Sequence, residues 1–138
     1  MMRKLGITFT IAFVLNFIWE HLHSVLYLSY KGGEITDFIL LRAALFDAAV
    51  ITLFTWFFVV ATPSFLKGRA RTGIVFILSL LIFAFILETW ALGTGQWMYR
   101  DSMPIIPFLK TGLTPTVQLA LLGNIAFHIA NKPLFSSK

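Results

Sequence analysis

The stretch Thr72–Leu92, TGIVFILSLLIFAFILETWAL, decides how the rest of this chain is read. Its only ionisable residue is Glu88, in a run about as long as the ~20 residues an α-helix needs to cross a hydrocarbon core. Apolar and polar residues do not alternate at period two, so a barrel strand is a poor description. Three further runs share this character: about 5–28, 38–61 and 113–130. The expected fold is therefore all-α, a four-transmembrane-helix bundle that forms one domain over residues 1–138.

Composition agrees. The chain is 58% hydrophobic and 12% charged with mean hydropathy +0.84, whereas a soluble domain carries roughly 25% charged residues. A net charge of +5 could suggest nucleic acid. The basic residues instead flank apolar runs, as in membrane proteins, so no nucleic-acid partner is expected. The absence of cysteine excludes disulfides, thiol catalysis and thiolate metal sites. The first run follows Arg3 and Lys4 as a signal peptide would. It is too long for an h-region and no A-x-A site follows, so it reads as a retained helix.

Orientation follows from Lys and Arg. Arg3 and Lys4, then Lys67, Arg69 and Arg71, then Lys132 and Lys138 fall on one side, against Lys31, Arg100 and Lys110 on the other. Both termini are thus expected inside, in the cytoplasmic membrane, with the Gly-containing loops outside. Trp97 and Tyr99 then sit at an outer aromatic belt. Lys31–Glu34 makes the first turn, with Thr36 or Asp37 as helix cap. Pro63-Ser64 ends the second helix.

Ionisable residues within these runs are costly, about 2.5–3.5 kcal/mol each at the bilayer centre. Glu20, Asp47, Glu88 and Arg42 must therefore face the bundle interior or water. A rise of 1.5 Å per residue places Glu20 and Glu88 each about 22 Å from the inner surface. Gln118 is then about 8 Å and Arg42 about 6 Å from the outer surface, with Asp47 near mid-depth. The polar groups converge on one outward-opening level. Asn16, Glu20, His23 and Tyr27 form one helical stripe, and Ala84, Glu88, Ala91 and Gly95 another. Asn124, His128 and Asn131 make a separate stripe nearer the cytoplasm. Asn16, Asn124 and Gln118 could equally act as interhelical hydrogen-bond glue. Arg42 either snorkels to the interface or pairs with Asp47 or Glu20.

Two chemistries bear on these residues. Glu20-x-x-His23 has the spacing found in di-metal bundles, but such sites need two motifs and two more carboxylates, so no metal is expected. A carboxyl group in an apolar cavity can instead hold a proton and donate it. Glu20, Asp47 and Glu88 are the candidate catalytic acids, and aromatic faces could stabilise a cation beside them. Asn16, His23, Arg42, Trp97, Tyr99 and Gln118 are the candidate binding residues.

Asn16-Phe17-Ile18-Trp19-Glu20, followed by Tyr27, resembles the Trp-Glu segment of integral-membrane terpene cyclases. Glu88-Thr89-Trp90-Ala91 with Gly95-Gln96-Trp97-Met98-Tyr99 resembles the acid and G-x-W-x-Y stretch of membrane lycopene cyclases. The pattern through Met103-Pro104, Pro107, Gly112, Pro115 and Gln118 is similar to a family of small four-helix bacterial membrane proteins. The resemblance implies an isoprenoid ligand, with Glu20 as the essential acid and Glu88 at the carotenoid enzymes' acidic position. Terpene cyclases of that type carry more helices, and lycopene cyclases have acidic residues after the proline where this chain has Thr116-Val117-Gln118. A complete cyclase site would then need a homo-oligomer or a partner chain. The expected function is binding of a lipid or isoprenoid, with cyclase-like acid catalysis and no cofactor. The alternatives are a small oligomeric ion- or proton-coupled transporter or channel, and an accessory subunit.

Overall fold

The computed structural model describes residues 1–60 and 69–131, with the side chains of Arg69 and Ala70 outside the description. Four helices carry the fold: α1 (Met2–His23), α2 (Asp37–Val60), α3 (Arg69–Gly93) and α4 (Leu113–Asn131). Each is long and apolar enough to span a membrane. Several of their hydroxyl side chains are satisfied locally. Thr8, Thr52 and Thr55 donate to the carbonyls of Lys4, Ala48 and Ile51 at 2.7–3.0 Å, so none exposes an unpaired polar group to an apolar setting.

The helices run antiparallel in sequence order, and Lys4 at the start of α1 reaches Asn131 at the end of α4 (3.4 Å). α1 packs most extensively on α2 and also on α4, which in turn holds α3. Ala12, Ala44 and Ala48 are fully buried, the small residues that allow helix backbones to approach closely. Gly123 on α4 lies against Leu80 and Ile51. α2 and α3 meet differently along their length. At one end aromatic pairs join them, Phe54 with Phe83 (ring centroids 5.7 Å) and Phe58 with Phe76 (5.4 Å), and Phe76 stacks on Phe127 of α4 (4.6 Å). At the other end the two helices stand on opposite sides of a cavity.

That end carries the main departure from the expected fold. The first helix was expected to reach Leu28, but α1 stops at His23 and passes through a 3-10 turn (Ser24–Leu26) into a strand, β1 (Tyr27–Tyr30). A second strand, β2 (Trp97–Tyr99), pairs with it antiparallel, Tyr27 opposite Tyr99 and Tyr30 opposite Trp97. The Leu26 carbonyl accepts the Arg100 N–H (2.9 Å), and the Gln96 carbonyl accepts that of Lys31 (2.8 Å). Composition hides the change because Val25 and Leu28 are apolar and exposed, like a lipid-facing helix surface. Gly95, expected on the α3 face, lies beyond the helix. It takes φ +67 and the Gln96 N–H bonds the Ala91 carbonyl (2.8 Å), a glycine helix stop. The left-handed Lys31 and Gly32 make the turn after β1. The second helix was expected to end at Pro63-Ser64, which, with Lys67, Lys132 and Lys138, lies outside the described residues.

Candidate functional site

The polar residues of the four helices gather beneath the β-ribbon. Gln118 of α4 is their centre. Its Nε2 lies 2.6 Å from Glu20 Oε1, 3.0 Å from Asp47 Oδ2 and 3.0 Å from Asn16 Oδ1. Asn16 is fully buried and its own Nδ2 donates to the Ala12 carbonyl (2.8 Å), which turns its oxygen toward Gln118. α1 and α2 are thereby tied to one amide on α4. An amide nitrogen has two hydrogens, and here it faces three acceptors.

Glu88 of α3 forms the second half of the site and is 5% exposed. The Trp97 indole N–H donates to its Oε2 (3.2 Å), and so does the Tyr99 hydroxyl, in a short contact. The Tyr99 oxygen accepts the Gly112 N–H (3.1 Å). A side chain at position 112 would strike the Pro115 ring at 2.8 Å and the Tyr99 ring at 3.1 Å. Glycine is therefore what lets the loop before α4 reach Tyr99. Trp97 and Tyr99 thus turn inward to a carboxyl group; the belt position expected for them does not describe their contacts.

Tyr27 joins the two halves. Its ring meets Tyr99 (5.5 Å), Trp97 (6.3 Å) and His23 (5.7 Å) edge-on. Burial, and then the Glu88 carboxylate, raise the Tyr27 hydroxyl well above its ordinary value of 10.0. The same two causes, in the same order, raise Tyr99. Both tyrosines remain neutral donors through the physiological range. Tyr27 reaches this place from β1; the helical stripe that suggested it does not extend so far.

Between these clusters lies a cavity of about 380 Å³. Glu20, Asp47, Glu88, Gln118, Tyr27 and Trp97 supply its polar and aromatic lining, and Ile39, Ala43, Ala84, Leu87 and Pro115 its apolar walls. Arg42, Phe46 and Trp90, all exposed, belong to its lining on the α2 and α3 sides. Among the described residues Arg42 pairs with neither Asp47 nor Glu20; its guanidinium lies 5.9 Å from the Phe38 ring centroid. Of its two expected roles the ion pair is absent. Asn16 and Tyr99 stand behind the lining, each holding a residue that belongs to it. His23 is turned to Thr114, with Nε2 2.5 Å from the hydroxyl. Its α1 neighbour His21 faces Asp37 at 3.9 Å.

The stripe expected on α4 stays apart from this site. The His128 Nδ1 lies 2.9 Å from the Asn124 carbonyl, and Asn131 donates to Phe127 (2.8 Å). Sequence reasoning named Gly112 and Pro115 in a motif and Ala84 on a helical face but gave none of them a place at a cavity, because nothing in a run of alanine and leucine marks which of them border empty space. Among the described residues no group of three acids or histidines is close enough to hold a metal ion. No protein-family model matches this chain, and no curated protein or solved structure is similar enough to count as a relative.

Proposed function

We propose that this chain is a multi-pass protein of the cytoplasmic membrane that binds the end of a lipid or isoprenoid chain and transfers protons to it. The observation that carries this reading is the cavity itself. It has apolar walls suited to a hydrocarbon, three carboxyl groups on its lining and a blind end, because the phenylalanine pairs of α2, α3 and α4 fill the bundle beyond it. Both termini lie inside in this reading, following the Lys and Arg distribution. A cytoplasmic reporter fused after Lys138 should then be active; a silent one refutes the orientation.

Glu20 and Asp47 meet at one amide, and neither forms an ion pair among the described residues. Two carboxyl groups so placed in a medium of low dielectric share a proton more readily than they carry two charges. That proton is the reactive one. The π pair of an alkene takes it, a C–H bond forms and a carbocation is left on the neighbouring carbon. The faces of Tyr27 and Trp97 and the remaining carboxylates stabilise that cation. Loss of a proton from an adjacent carbon to a carboxylate restores a double bond, so the reaction needs no oxidant or reductant. The resemblance of the Glu20 and Glu88 segments to membrane terpene and lycopene cyclases supports the same chemistry.

The test compares wild type with Ala84→Phe, which puts a ring into the cavity, after purification into lipid nanodiscs. Mass spectrometry of extracted lipid should find a retained isoprenoid or lipid in the wild type and little in the variant. Incubation with a polyprene should yield an isomerised or cyclised product that Asp47→Asn fails to make. Proton or ion flux in proteoliposomes that Glu20→Gln abolishes would overturn this reading in favour of a transporter.

A further inference from the structure

The donors and acceptors of the cavity do not balance. Gln118 has two amide hydrogens for the oxygens of Asn16, Glu20 and Asp47. At least one of these three oxygens is therefore short of a hydrogen from this amide, and Gln118, 4% exposed, borders the cavity. Buried acceptors that lack a donor are costly and are rarely left so in a folded protein. Charge is unbalanced in the same direction. Three carboxyl groups border the cavity against one guanidinium, Arg42, which is exposed and lies by Phe38. A cation brought among these carboxyl groups would favour their charged forms.

A metal ion does not answer this deficit, since the acids are spread around about 380 Å³ and make no compact ligand set among the described residues. What fits is larger and has an apolar body. Tyr27 and Trp97 add aromatic surface to the same lining, and aromatic faces attract organic cations. We infer that the cavity binds a lipophilic ammonium, an apolar chain ending in a protonated amine, with its N–H groups at Gln118, Glu20 and Asp47. The inference rests on the same cavity as the proposed function and deepens it: such an amine carries at neutral pH the charge that a carbocation carries briefly.

The probes are geranylamine, protonated at neutral pH, and geraniol, its uncharged analogue, titrated against the full chain in lipid nanodiscs by tryptophan fluorescence and calorimetry. The amine should bind about tenfold more tightly or better, the scale of one charge-assisted hydrogen bond. Glu20→Gln and Asp47→Asn should each weaken the amine about fivefold or more and weaken geraniol much less, and geraniol still bound by a variant reports an intact cavity. Arg42→Gln should tighten amine binding, an effect of opposite sign that damaged packing cannot produce. Geraniol bound as tightly as the amine, or amide variants without effect, overturns the inference and leaves the isoprenoid reading standing. Binding of the amine alone supports the inference and removes that reading. Binding of neither removes both.

Discussion

Gln118→Leu should lower the stability of the bundle by about 3–5 kcal/mol, the scale seen when one partner of a buried charged contact is removed. Leucine is close in size, so the effect is not a cavity. The loss comes from Glu20, Asp47 and Asn16, which keep their positions on α1 and α2 and lose their common donor. Interhelical hydrogen bonds in membranes average nearer ~0.6 kcal/mol, with upper values of about 2 kcal/mol. The larger figure is expected here because one substitution strips three acceptors, two of them carboxyl groups. Unfolding in mixed micelles measures it. A change below about 1 kcal/mol would mean that the amide is ordinary interhelical glue. The double variant with Asp47→Leu should lose less than the sum of the two single changes, because the second substitution removes an acceptor that the first left stranded.

Gly123→Ala is expected to act against helix propensity. Alanine in place of glycine within a helix ordinarily stabilises by about 0.5–1 kcal/mol. At position 123 the added methyl would lie 2.6 Å from Leu80 Cδ1 and 3.2 Å from Ile51 Cγ1. Both neighbours are fully buried, so neither side chain has room to swing away. The variant should therefore be less stable by about 1–3 kcal/mol, the range for overpacked cores. Introduced beside Leu80→Ala, the same change should become close to neutral. If Gly123→Ala stabilises the wild-type background, the close approach of α4 to α2 and α3 is looser than its geometry.

Much of this was legible in the chain before any coordinates. Runs such as Thr72–Leu92 leave backbone groups no partner in lipid except their own helix, so length and apolarity predict the elements directly. Glu20, Asp47 and Glu88 announced themselves by cost: a carboxyl group amid apolar residues must face the interior, and helical rise placed Glu20 and Glu88 near the level of Gln118, with Asp47 deeper. Tyr27 was singled out for the wrong reason. Period 3.6 continues on paper past His23, while the backbone has already turned to pair with β2.

That difference marks the division between the two sources. Helix number, the approximate spans and the polar level follow from the chain alone, because each depends on residues close in sequence and on the apolar solvent they imply. The β-ribbon, the inward turn of Trp97 and Tyr99, and the freedom of Arg42 from Asp47 were decided only by tertiary structure. Each depends on segments far apart in the chain, such as Tyr27 against Tyr99 or Gly112 against Tyr99. The cavity belongs with them. Helix pattern turns Asp47 and Glu88 toward the interior, but only the packing of α2 and α3, joined by phenylalanines at one end and parted at the other, leaves space between them.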